Sequence, residues 1–391
     1  MKIMLLTHSF SPEISPPQRR WSVIADELAK LGNEVTVVTP KSGANSAQGT
    51  RTPTDSERIH VRRYKSLSKP KTMLGKVLKH GVDAILSLPE ALKATSPDIV
   101  IATVPALPTL IVGYVISKIR RAAFVVDLRD AWPDLLRESQ VLKWRWMEPL
   151  VSRMLAHLVK RSDLLVTVTR GLAIRMRLNG VKNVATIPNG VETDRPEVSI
   201  IHEPRTDAIR VLYLGNIGRS QGLETLVHAA KILGNKVSVR IVGNGTEKRR
   251  LTELADELQV HVDFREPVYG DLVLENYAWA DTCVVSLRPD WPSFEHTIPS
   301  KLYELLYLDR HITGMVRGEA AGIIAASGSG QVVGQNVSAL VQYLTNLAAN
   351  PDRLKTSNRG SKWVKQNASL RDAGRAYAEL LGDVASRGAK S

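Results

Sequence analysis

Short β-branched segments alternate with longer amphipathic stretches along this chain of 391 residues. Such alternation predicts parallel β-sheets covered by helices on both faces, because each parallel crossover needs an intervening helix. The candidate strands of the first half are residues 2–6, 34–39, 59–63, 98–103, 123–128, 163–168 and 184–188. The pattern stops in a proline-containing linker and restarts with residues 211–215, 237–243, 260–264, 281–287 and 310–316.

This interruption, at roughly residues 193–207, predicts two tandem domains in a chain about twice the usual domain length. We expect a Rossmann-like domain at 1–195, another at 205–370, and a C-terminal helix at 371–391 that packs back on the first domain. Ligands of doubly wound sheets bind at the carboxyl ends of the strands, where the strand order reverses. The predicted fold class is therefore α/β, with two tandem Rossmann-like doubly wound domains facing a cleft.

Positive charge is concentrated in the first half of the chain. Residues 1–200 contain 30 Lys and Arg against 18 Asp and Glu, so only +2 of the formal net charge of +14 remains for the rest. A basic half predicts an anionic partner, and nucleic acid, phospholipid headgroups and phosphorylated substrates all satisfy this requirement. Aromatic residues make up only 5% of the chain and no nucleic-acid-binding motif is recognisable, which argues against nucleic acid.

Two segments of this basic half, 69–81 and 135–163, mix cations with apolar side chains. Such segments can lie on an anionic membrane surface, and core-facing helices with solvated cations explain them equally well. The single cysteine, Cys283, cannot pair within the chain and favours a reducing compartment; its apolar neighbours indicate a buried structural thiol. We expect a cytoplasmic protein, with peripheral binding at the inner face of the cell membrane as a further expectation.

Two glycine-containing turns follow adjacent predicted strands of the second domain. In "YLGNIGRSQGLETL", Gly215 and Gly218 would let backbone N–H groups approach a phosphate, beside the cation of Arg219. The segment "IVGNGTE" repeats this arrangement with Gly243 and Gly245. A plain strand–helix turn is the alternative for either segment alone, and the occurrence of both favours phosphate binding.

The segment "FEHTIPSKLYE" predicts the start of a helix, with Thr297 as its N-cap. Ser300 and Lys301 then present a hydroxyl and a cation beside the unpaired N–H groups of the first turn, which suits a diphosphate. Glu304, on the same helical face as Ser300, can accept two hydrogen bonds from a ribose diol. A solvated first-turn glutamate is the alternative, but the apolar neighbours of Glu304 argue against it.

Charged residues also follow two strands of the first domain. The loop after the first strand leads into a helix that begins with two arginines, and "VVDLRDAWPD" sets several polar residues directly after a core strand. Consecutive charges at such a position are more often functional than structural. The candidate residues are Arg19, Arg20, Asp127, Arg129, Asp130 and Trp132. The nine histidines show no metal-ligand spacing, and neither a P-loop nor a Gly-x-Ser-x-Gly elbow is present.

Together these motifs resemble the family 4 glycosyltransferases of the GT-B fold, most closely the bacterial branch that builds cell-surface polysaccharide such as O antigen or capsule, including fucosamine-transferase-like members. Seven segments occur in family order: "SPE…RRW…LAKLGNEVTVVTP", "SPDIVIATVP", "VVDLRDAWPD", "IPNGVE", "YLGNIGRSQGLETL", "VGNGTE" and "IPSKLYE". The resemblance implies metal-independent, retaining transfer of a hexosyl or N-acetylhexosaminyl group. It implies a UDP- or GDP-linked donor without a further cofactor, and a lipid-diphosphate-linked or other anionic glycan acceptor held by the first domain.

The resemblance also assigns residues. The acid that binds the ribose falls on Glu304, whereas the first family acid falls on His296, with Glu295 one position away, so either could face the donor sugar. The usual Arg and Lys phosphate ligands fall on Asn216 and Gln221, which implies a different phosphate clamp. The candidate donor-binding residues are Gly215, Asn216, Gly218, Arg219, Gln221, Gly243, Gly245, Ser300, Lys301 and Glu304.

The remaining assignments concern the acceptor and the reaction. The glycine pair that is common after the first strand is replaced by Pro16 and Pro17. No carboxylate nucleophile is apparent, and a front-face reaction is consistent with the family, with Asp130 or Asp127 orienting the acceptor hydroxyl. The candidate acceptor-binding residues are Arg19, Arg20, Arg129 and Trp132. An epimerase of the same two-domain build and a non-catalytic sugar-nucleotide-binding subunit remain alternatives.

Overall fold

The computed structural model describes residues 1–12, 16–41, 56–66, 73–104, 107–131, 138, 147–194 and 208–388. They belong to two compact units. The first unit comprises Met1–Glu192 and Ala368–Ser391, and the second comprises Thr193–Asn367.

The first unit is built on a seven-stranded parallel sheet with the order β3-β2-β1-β4-β5-β6-β7. Its strands are β1 (Lys2–Leu6), β2 (Glu34–Pro40), β3 (Ile59–Tyr64), β4 (Ile99–Val104), β5 (Ala123–Leu128), β6 (Leu164–Thr167) and β7 (Val184–Thr186). The central strands are continuous apolar runs because helices cover both faces of the sheet. The helices are α1 (Pro16–Lys30), α2 (Met73–Leu92), α3 (Leu107–Arg120), α4 (Met147–Lys160) and α5 (Arg170–Leu178).

The second unit contains a six-stranded parallel sheet with the order β10-β9-β8-β11-β12-β13. Its strands are β8 (Ile209–Leu214), β9 (Val237–Val242), β10 (Asp263–Arg265), β11 (Thr282–Ser286), β12 (Ile312–Met315) and β13 (Gly330–Val332). Its helices are α6 (Glu224–Leu233), α7 (Lys248–Glu257), α8 (Asp271–Trp279), α9 (Ser300–Tyr307), α10 (Gly318–Ser327), α11 (Val337–Ala349) and α12 (Arg359–Asn367). The strand order reverses between β8 and β11, so a ligand site of this sheet is expected beside the carboxyl ends of these two strands.

The last helix, α13 (Leu370–Gly388), belongs to the first unit and packs along α1. A Cβ atom on Gly374 would lie 2.6 Å from the Cβ of Glu27, so the two helices approach as closely as they do only because Gly374 has no side chain. The rings of Trp21 and Tyr377 lie 5.2 Å apart between the same helices. The last helix is therefore an integral part of the first unit's core.

The prediction of two doubly wound parallel sheets is confirmed. Cys283 lies in β11 with 2% of its surface exposed, and burial raises the pKa of its thiol to about 11, as expected of a structural cysteine. The last strand, β13, was not predicted, because its three residues begin with Gly330 and form no apolar run.

Candidate functional site

The loops that follow β8 and β11 are joined at the point where the strand order reverses. The backbone N–H of Arg288 donates to the carbonyl of Ser220 over 2.9 Å, and the Ser286 hydroxyl donates to the carbonyl of Gln221. The 3-10 turn at Arg219–Gln221 and the segment leading to α9 therefore lie side by side. The first glycine-containing motif therefore lies against the segment that follows β11 and leads to α9.

On α9, Lys301 and Glu304 form an ion pair one helical turn apart. The Lys301 ammonium lies 3.3 Å from Oε2 of Glu304, and the hydroxyl of Tyr277 on α8 donates to Oε1 over the same distance. Both side chains remain partly exposed, at 28% for Lys301 and 21% for Glu304. The structure thus presents a cation and an oriented carboxylate beside the exposed Ser300 at the start of a helix.

Thr297 does not cap this helix, contrary to the sequence-based expectation. It ends a 3-10 helix, Pro292–His296, and its hydroxyl donates to the carbonyl of Ser293 over 3.1 Å. The N-cap position of α9 belongs to Pro299, which makes no side-chain capping bond. The first-turn N–H groups of α9 are therefore not occupied by a capping side chain, and they can serve an anion.

The first glycine turn directs most of its N–H groups into the protein. Gly215 donates to the carbonyl of Val242 over 3.0 Å, and Ile217 donates to the carbonyl of Asn244 over 2.9 Å. Gly218 donates to the side-chain oxygen of its neighbour Gln221 over 3.0 Å. The predicted phosphate cradle of Gly215 and Gly218 is therefore at odds with the geometry, because these N–H groups already have acceptors.

In the second glycine turn, close packing against the first turn requires glycine at both positions. A Cβ atom at Gly243 would lie 1.9 Å from the carbonyl oxygen of Gly215, and one at Gly245 would lie 2.1 Å from that of Ile217. The backbones of the two turns thus pack directly against each other at these two glycines, and no side chain would fit between them. Both glycines are explained without a phosphate, and Arg219 beside the first turn is an exposed cation.

Asn216 and Gln221, at the positions where the family usually has Arg and Lys, contact each other. The Asn216 amide lies 3.4 Å from the side-chain oxygen of Gln221, and the Asn216 carbonyl accepts a 2.6 Å hydrogen bond from Tyr213. The two side chains therefore contact each other within the turn.

The two candidates for the first acid lie on the 3-10 helix before α9. The Glu295 carboxylate is 41% exposed and lies 3.4 Å from the guanidinium of Arg317. His296 is partly buried at the end of the same helix. Both residues belong to the 3-10 helix that precedes α9, and both remain candidates for the first acid.

In the first unit, Asp127 is completely buried. Its Oδ1 accepts a 2.7 Å hydrogen bond from the Tyr377 hydroxyl, and its Oδ2 accepts a 3.2 Å bond from the Trp21 indole. The guanidinium of Arg20 lies 3.7 Å from Oδ1 and also donates to the carbonyl of Ile187 over 3.0 Å. The predicted contacts of Asp127 and Arg20 with an acceptor have no support in this geometry, because both side chains belong to a buried structural network.

Arg129 and Asp130 follow β5 at the carboxyl edge of the first sheet and are partly exposed. Burial raises the pKa of the Asp130 carboxyl above its ordinary value, and the neighbouring charge of Arg129 opposes this shift. Burial likewise lowers the pKa of the Arg129 guanidinium. Arg19 lies on the exposed side of α1, whereas Trp132 lies outside the described residues.

Two further findings concern metals and membranes. Within the described ranges, no three or more His, Cys, Asp and Glu side chains are grouped so that they could hold a metal ion. No helix in the same ranges is both long and apolar enough to cross a membrane. The tryptophan-containing part of the segment 135–163, at residues 139–146, lies outside the described residues.

Two Rossmann-like parallel sheets in tandem, the second with a polar site at its point of reversal, are the architecture of the GT-B fold. The family model "Glycosyltransferase Family 4" matches residues 18–195, and "Glycosyl transferases group 1" matches residues 194–363. These consecutive matches cover most of the chain, which belongs to the family 4 glycosyltransferases.

Two relatives show more distant similarity. WcaI of Escherichia coli K12, provisionally named a colanic acid biosynthesis glycosyl transferase, is 26% identical over 292 residues, which span 66% of this chain and 69% of WcaI. WbjE of Pseudomonas aeruginosa, provisionally named a glycosyltransferase, is 24% identical over 258 residues, which span 61% of this chain and 60% of WbjE.

Solved structures share the fold over the full length. Sucrose-phosphate synthase from Thermosynechococcus elongatus superimposes with a TM-score of 0.77 at 15% identity and covers 99% of both chains. Anabaena HepE in complex with UDP-glucose gives a TM-score of 0.71 at 15% identity, covering 98% of this chain and 100% of HepE. At these identities the likeness shows the GT-B fold alone.

Proposed function

We propose that this enzyme is a retaining glycosyltransferase that moves a hexosyl or N-acetylhexosaminyl group from a nucleoside-diphosphate sugar to a glycan acceptor. The family match supports glycosyl transfer, and HepE, a structure of the same fold, was solved with UDP-glucose. The name of WcaI supports a place in cell-surface polysaccharide biosynthesis. A lipid-diphosphate-linked acceptor suits the positive charge of the first half of the chain.

The observation that carries this proposal is the Lys301–Glu304 pair at the start of α9. A cation and uncapped N–H groups next to a carboxylate match the two ends of a nucleoside diphosphate, the diphosphate and the ribose diol. The 3.3 Å hydrogen bond from Tyr277 holds one oxygen of Glu304, so the carboxylate is oriented before a ligand arrives. The pair is therefore assigned to the donor, with Lys301 on the phosphate side and Glu304 on the ribose side.

The reaction places negative charge on the departing phosphate. The bond between the anomeric carbon and the phosphate oxygen breaks, the acceptor oxygen bonds to the same face of that carbon, and the acceptor proton passes to the departing phosphate. Lys301, Arg219 and the first-turn N–H groups would stabilise this charge, and a preorganised donor of this kind contributes about 3–4 kcal/mol to a transition state.

On the acceptor side, Asp130 is the remaining candidate for orienting the acceptor hydroxyl, since Asp127 is buried and already holds its partners. Its partly exposed carboxyl lies beside Arg129 at the carboxyl edge of the first sheet. Glu295 or His296 would face the donor sugar.

Calorimetry with UDP, GDP and ADP on the whole chain tests the donor assignment. Glu304→Ala should weaken binding of the preferred nucleotide by about 1.5–3 kcal/mol, the range for a hydrogen bond to a charged group. The matched control is Glu275→Ala, which removes an exposed glutamate from the neighbouring helix α8 and should leave affinity unchanged. Equal nucleotide affinity in the wild type and a folded Glu304→Ala variant would contradict the assignment of Glu304 to the donor site.

Product analysis then separates the functions. Incubation with the preferred sugar nucleotide and a lipid-diphosphate glycan should yield a lengthened glycan with the donor's anomeric configuration, as read by NMR. Epimerised sugar nucleotide in the absence of an acceptor would identify an epimerase. Tight binding with neither transfer nor donor hydrolysis would identify a non-catalytic subunit.

A further inference from the structure

The amino edge of the first sheet, opposite to its predicted functional edge, contains a second concave site. The cavity measures about 770 Å³, within the range of small-molecule sites in proteins. It lies where β1, β2, β4 and β5 begin, and α13 contributes one side. Its charged lining residues are Lys2, Glu34, Arg58, Asp98, Arg120 and Arg121.

The two carboxylates of this cavity have partners within the fold. Oδ2 of Asp98 accepts a 2.7 Å hydrogen bond from the backbone N–H of Lys2. Oε1 of Glu34 lies 3.6 Å from the imidazole of His60. Neither carboxylate forms an ion pair with the four cationic side chains of the cavity. The positive charge of these side chains is therefore not neutralised by the carboxylates beside them.

The four cationic side chains of the cavity make few hydrogen bonds within the protein. In the ranges that the structure describes, the Lys2 ammonium and the Arg121 guanidinium make no hydrogen bond or ion pair, and Arg58 donates from its side chain only to the carbonyl of Gly32, at 3.4 Å. Arg120 donates to the carbonyl of Leu92, and its buried Nε has no partner. A buried guanidinium N–H without an acceptor is costly, and an anion in the cavity could supply one.

The backbone at Arg121 adds an independent observation. Arg121 ends α3 with a φ of 52°, and the following N–H of Ala122 donates to Ser117, the pattern of a left-handed helix terminus. At the end of α1 the corresponding residue is Gly32, with a φ of 86°. A side chain in this conformation is strained, and the residue that bears this strain here is an arginine lining the cavity.

We propose that this cavity binds a phosphate-bearing anion, a phosphomonoester or a diphosphate. Arginine guanidinium groups form paired hydrogen bonds with phosphate oxygens, and three arginines and a lysine exceed what two internally partnered carboxylates require. The same chemistry is offered by a soluble phosphorylated metabolite and by the headgroup of an anionic phospholipid. The inference does not depend on the donor site, which lies in the other unit.

Calorimetry of the full chain with inorganic pyrophosphate provides the first test. All measurements use a protein that already carries Lys301→Ala and Arg219→Ala, because these two changes weaken pyrophosphate binding at the candidate donor site. On this background, Arg58→Gln/Arg121→Gln should lower pyrophosphate affinity at least tenfold. The control Arg170→Gln/Lys182→Gln removes two exposed cations of the same unit, so it changes net charge equally and should lower affinity less than twofold.

A second variant separates folding from binding. Arg121→Gly removes the guanidinium and relaxes the backbone, so it should weaken pyrophosphate binding while the melting temperature stays level or rises. Pyrophosphate affinity that is the same in the Lys301→Ala/Arg219→Ala background alone and in that background carrying either Arg58→Gln/Arg121→Gln or Arg121→Gly would overturn the proposal, as would equal losses in the Arg170/Lys182 control.

Vesicle flotation distinguishes a phospholipid headgroup from a soluble phosphorylated metabolite as the ligand of the cavity. If the ligand is a lipid headgroup, the wild type floats with phosphatidic acid vesicles but not with phosphatidylcholine vesicles, the Arg58/Arg121 variant floats less, and pyrophosphate competes. If it is a soluble metabolite, pyrophosphate binds through Arg58 and Arg121 while flotation is the same in the variant and its control. Absence of binding to both probes refutes the site.

Discussion

The phenol of Tyr377 donates a 2.7 Å hydrogen bond to Oδ1 of Asp127, a residue 250 positions earlier in the chain. The bond joins the last helix to the end of a central strand, beneath the ring of Trp21 and beside the guanidinium of Arg20. Asp127 and Tyr377 are both fully buried. A carboxylate that the sequence set directly after a core strand therefore acts as the anchor of the C-terminal helix.

The variant Tyr377→Phe tests this anchor. It keeps the ring and removes one donor from a buried carboxylate, which should lower the free energy of unfolding by about 1–3 kcal/mol. Urea denaturation of the whole chain measures the change. Tyr269→Phe, at a site that is 65% exposed, is the matched control and should unfold as the wild type does. Equal midpoints for both variants would show that the hydrogen bond contributes nothing.

The sequence predicted both sheets because their signal is local. Strand β4 is a continuous run of buried, mainly apolar and β-branched residues, and the first four residues of β5 are another, so both strands can be read from neighbouring positions. The role of Asp127 could not be read in this way. Its partners Trp21 and Tyr377 come from distant segments, and a carboxylate after a strand looks the same whether it faces a ligand or an indole.

The glycine turns show a second limit of sequence reasoning. A phosphate and a neighbouring backbone both require a missing Cβ, so the pattern at Gly243 and Gly245 fits either one. Only the distances to the carbonyl oxygens of Gly215 and Ile217 identify the neighbour as backbone. At α9, by contrast, the prediction of a cation and a carboxylate near the start of one helix depends on local spacing, and in the structure the helix begins at Ser300 and carries both Lys301 and Glu304.

Gly245→Ala should destabilise the second unit. Its Cβ would lie 2.1 Å from the carbonyl oxygen of Ile217, a backbone atom that cannot move without breaking the turn. We expect a loss of about 2 kcal/mol or more in the free energy of unfolding. Gly322→Ala, in α10 with no atom near its added Cβ, is the control and should gain about 0.5–1 kcal/mol. A Gly245→Ala protein as stable as the wild type would contradict the packing explanation.

Tyr277→Phe tests whether Tyr277 positions Glu304. The variant keeps the ring beneath Lys301 but removes the hydroxyl that donates to the Glu304 carboxylate, so nucleotide affinity should fall by about 1 kcal/mol, or roughly fivefold. In a double-mutant cycle with Glu304→Ala, the tyrosine change should have no further effect, because it acts through the carboxylate. Additive losses would show that Tyr277 contributes to binding by another route.

Transfer should survive chelation by EDTA. This prediction follows from the family resemblance and from the cations of Lys301 and Arg219, which can meet the charge of the leaving phosphate together with the first-turn N–H groups of α9. The initial rate of sugar transfer is measured before and after dialysis against EDTA. Loss of activity that magnesium or manganese restores would contradict the prediction.

His311 should make stability depend on pH. The side chain is 6% exposed, and its Nδ1 lies 2.8 Å from the hydroxyl of Thr282. Burial lowers the pKa of His311 from 6.5 to about 4, and the charges of Arg310 and Arg353 act in the same direction. Between these two values the unfolded chain binds a proton at this position that the folded chain does not.

The stabilising contribution of neutral His311 is therefore complete above pH 6.5, falls as the pH drops towards 4, and changes no further below that value. A pKa difference of this size corresponds to about 3 kcal/mol. Denaturation midpoints at several pH values measure the slope, and His311→Asn should reduce it because asparagine does not titrate in this window. His261→Asn, at an exposed site, should keep the wild-type slope. If the two variants show the same slope, the pH dependence does not come from His311.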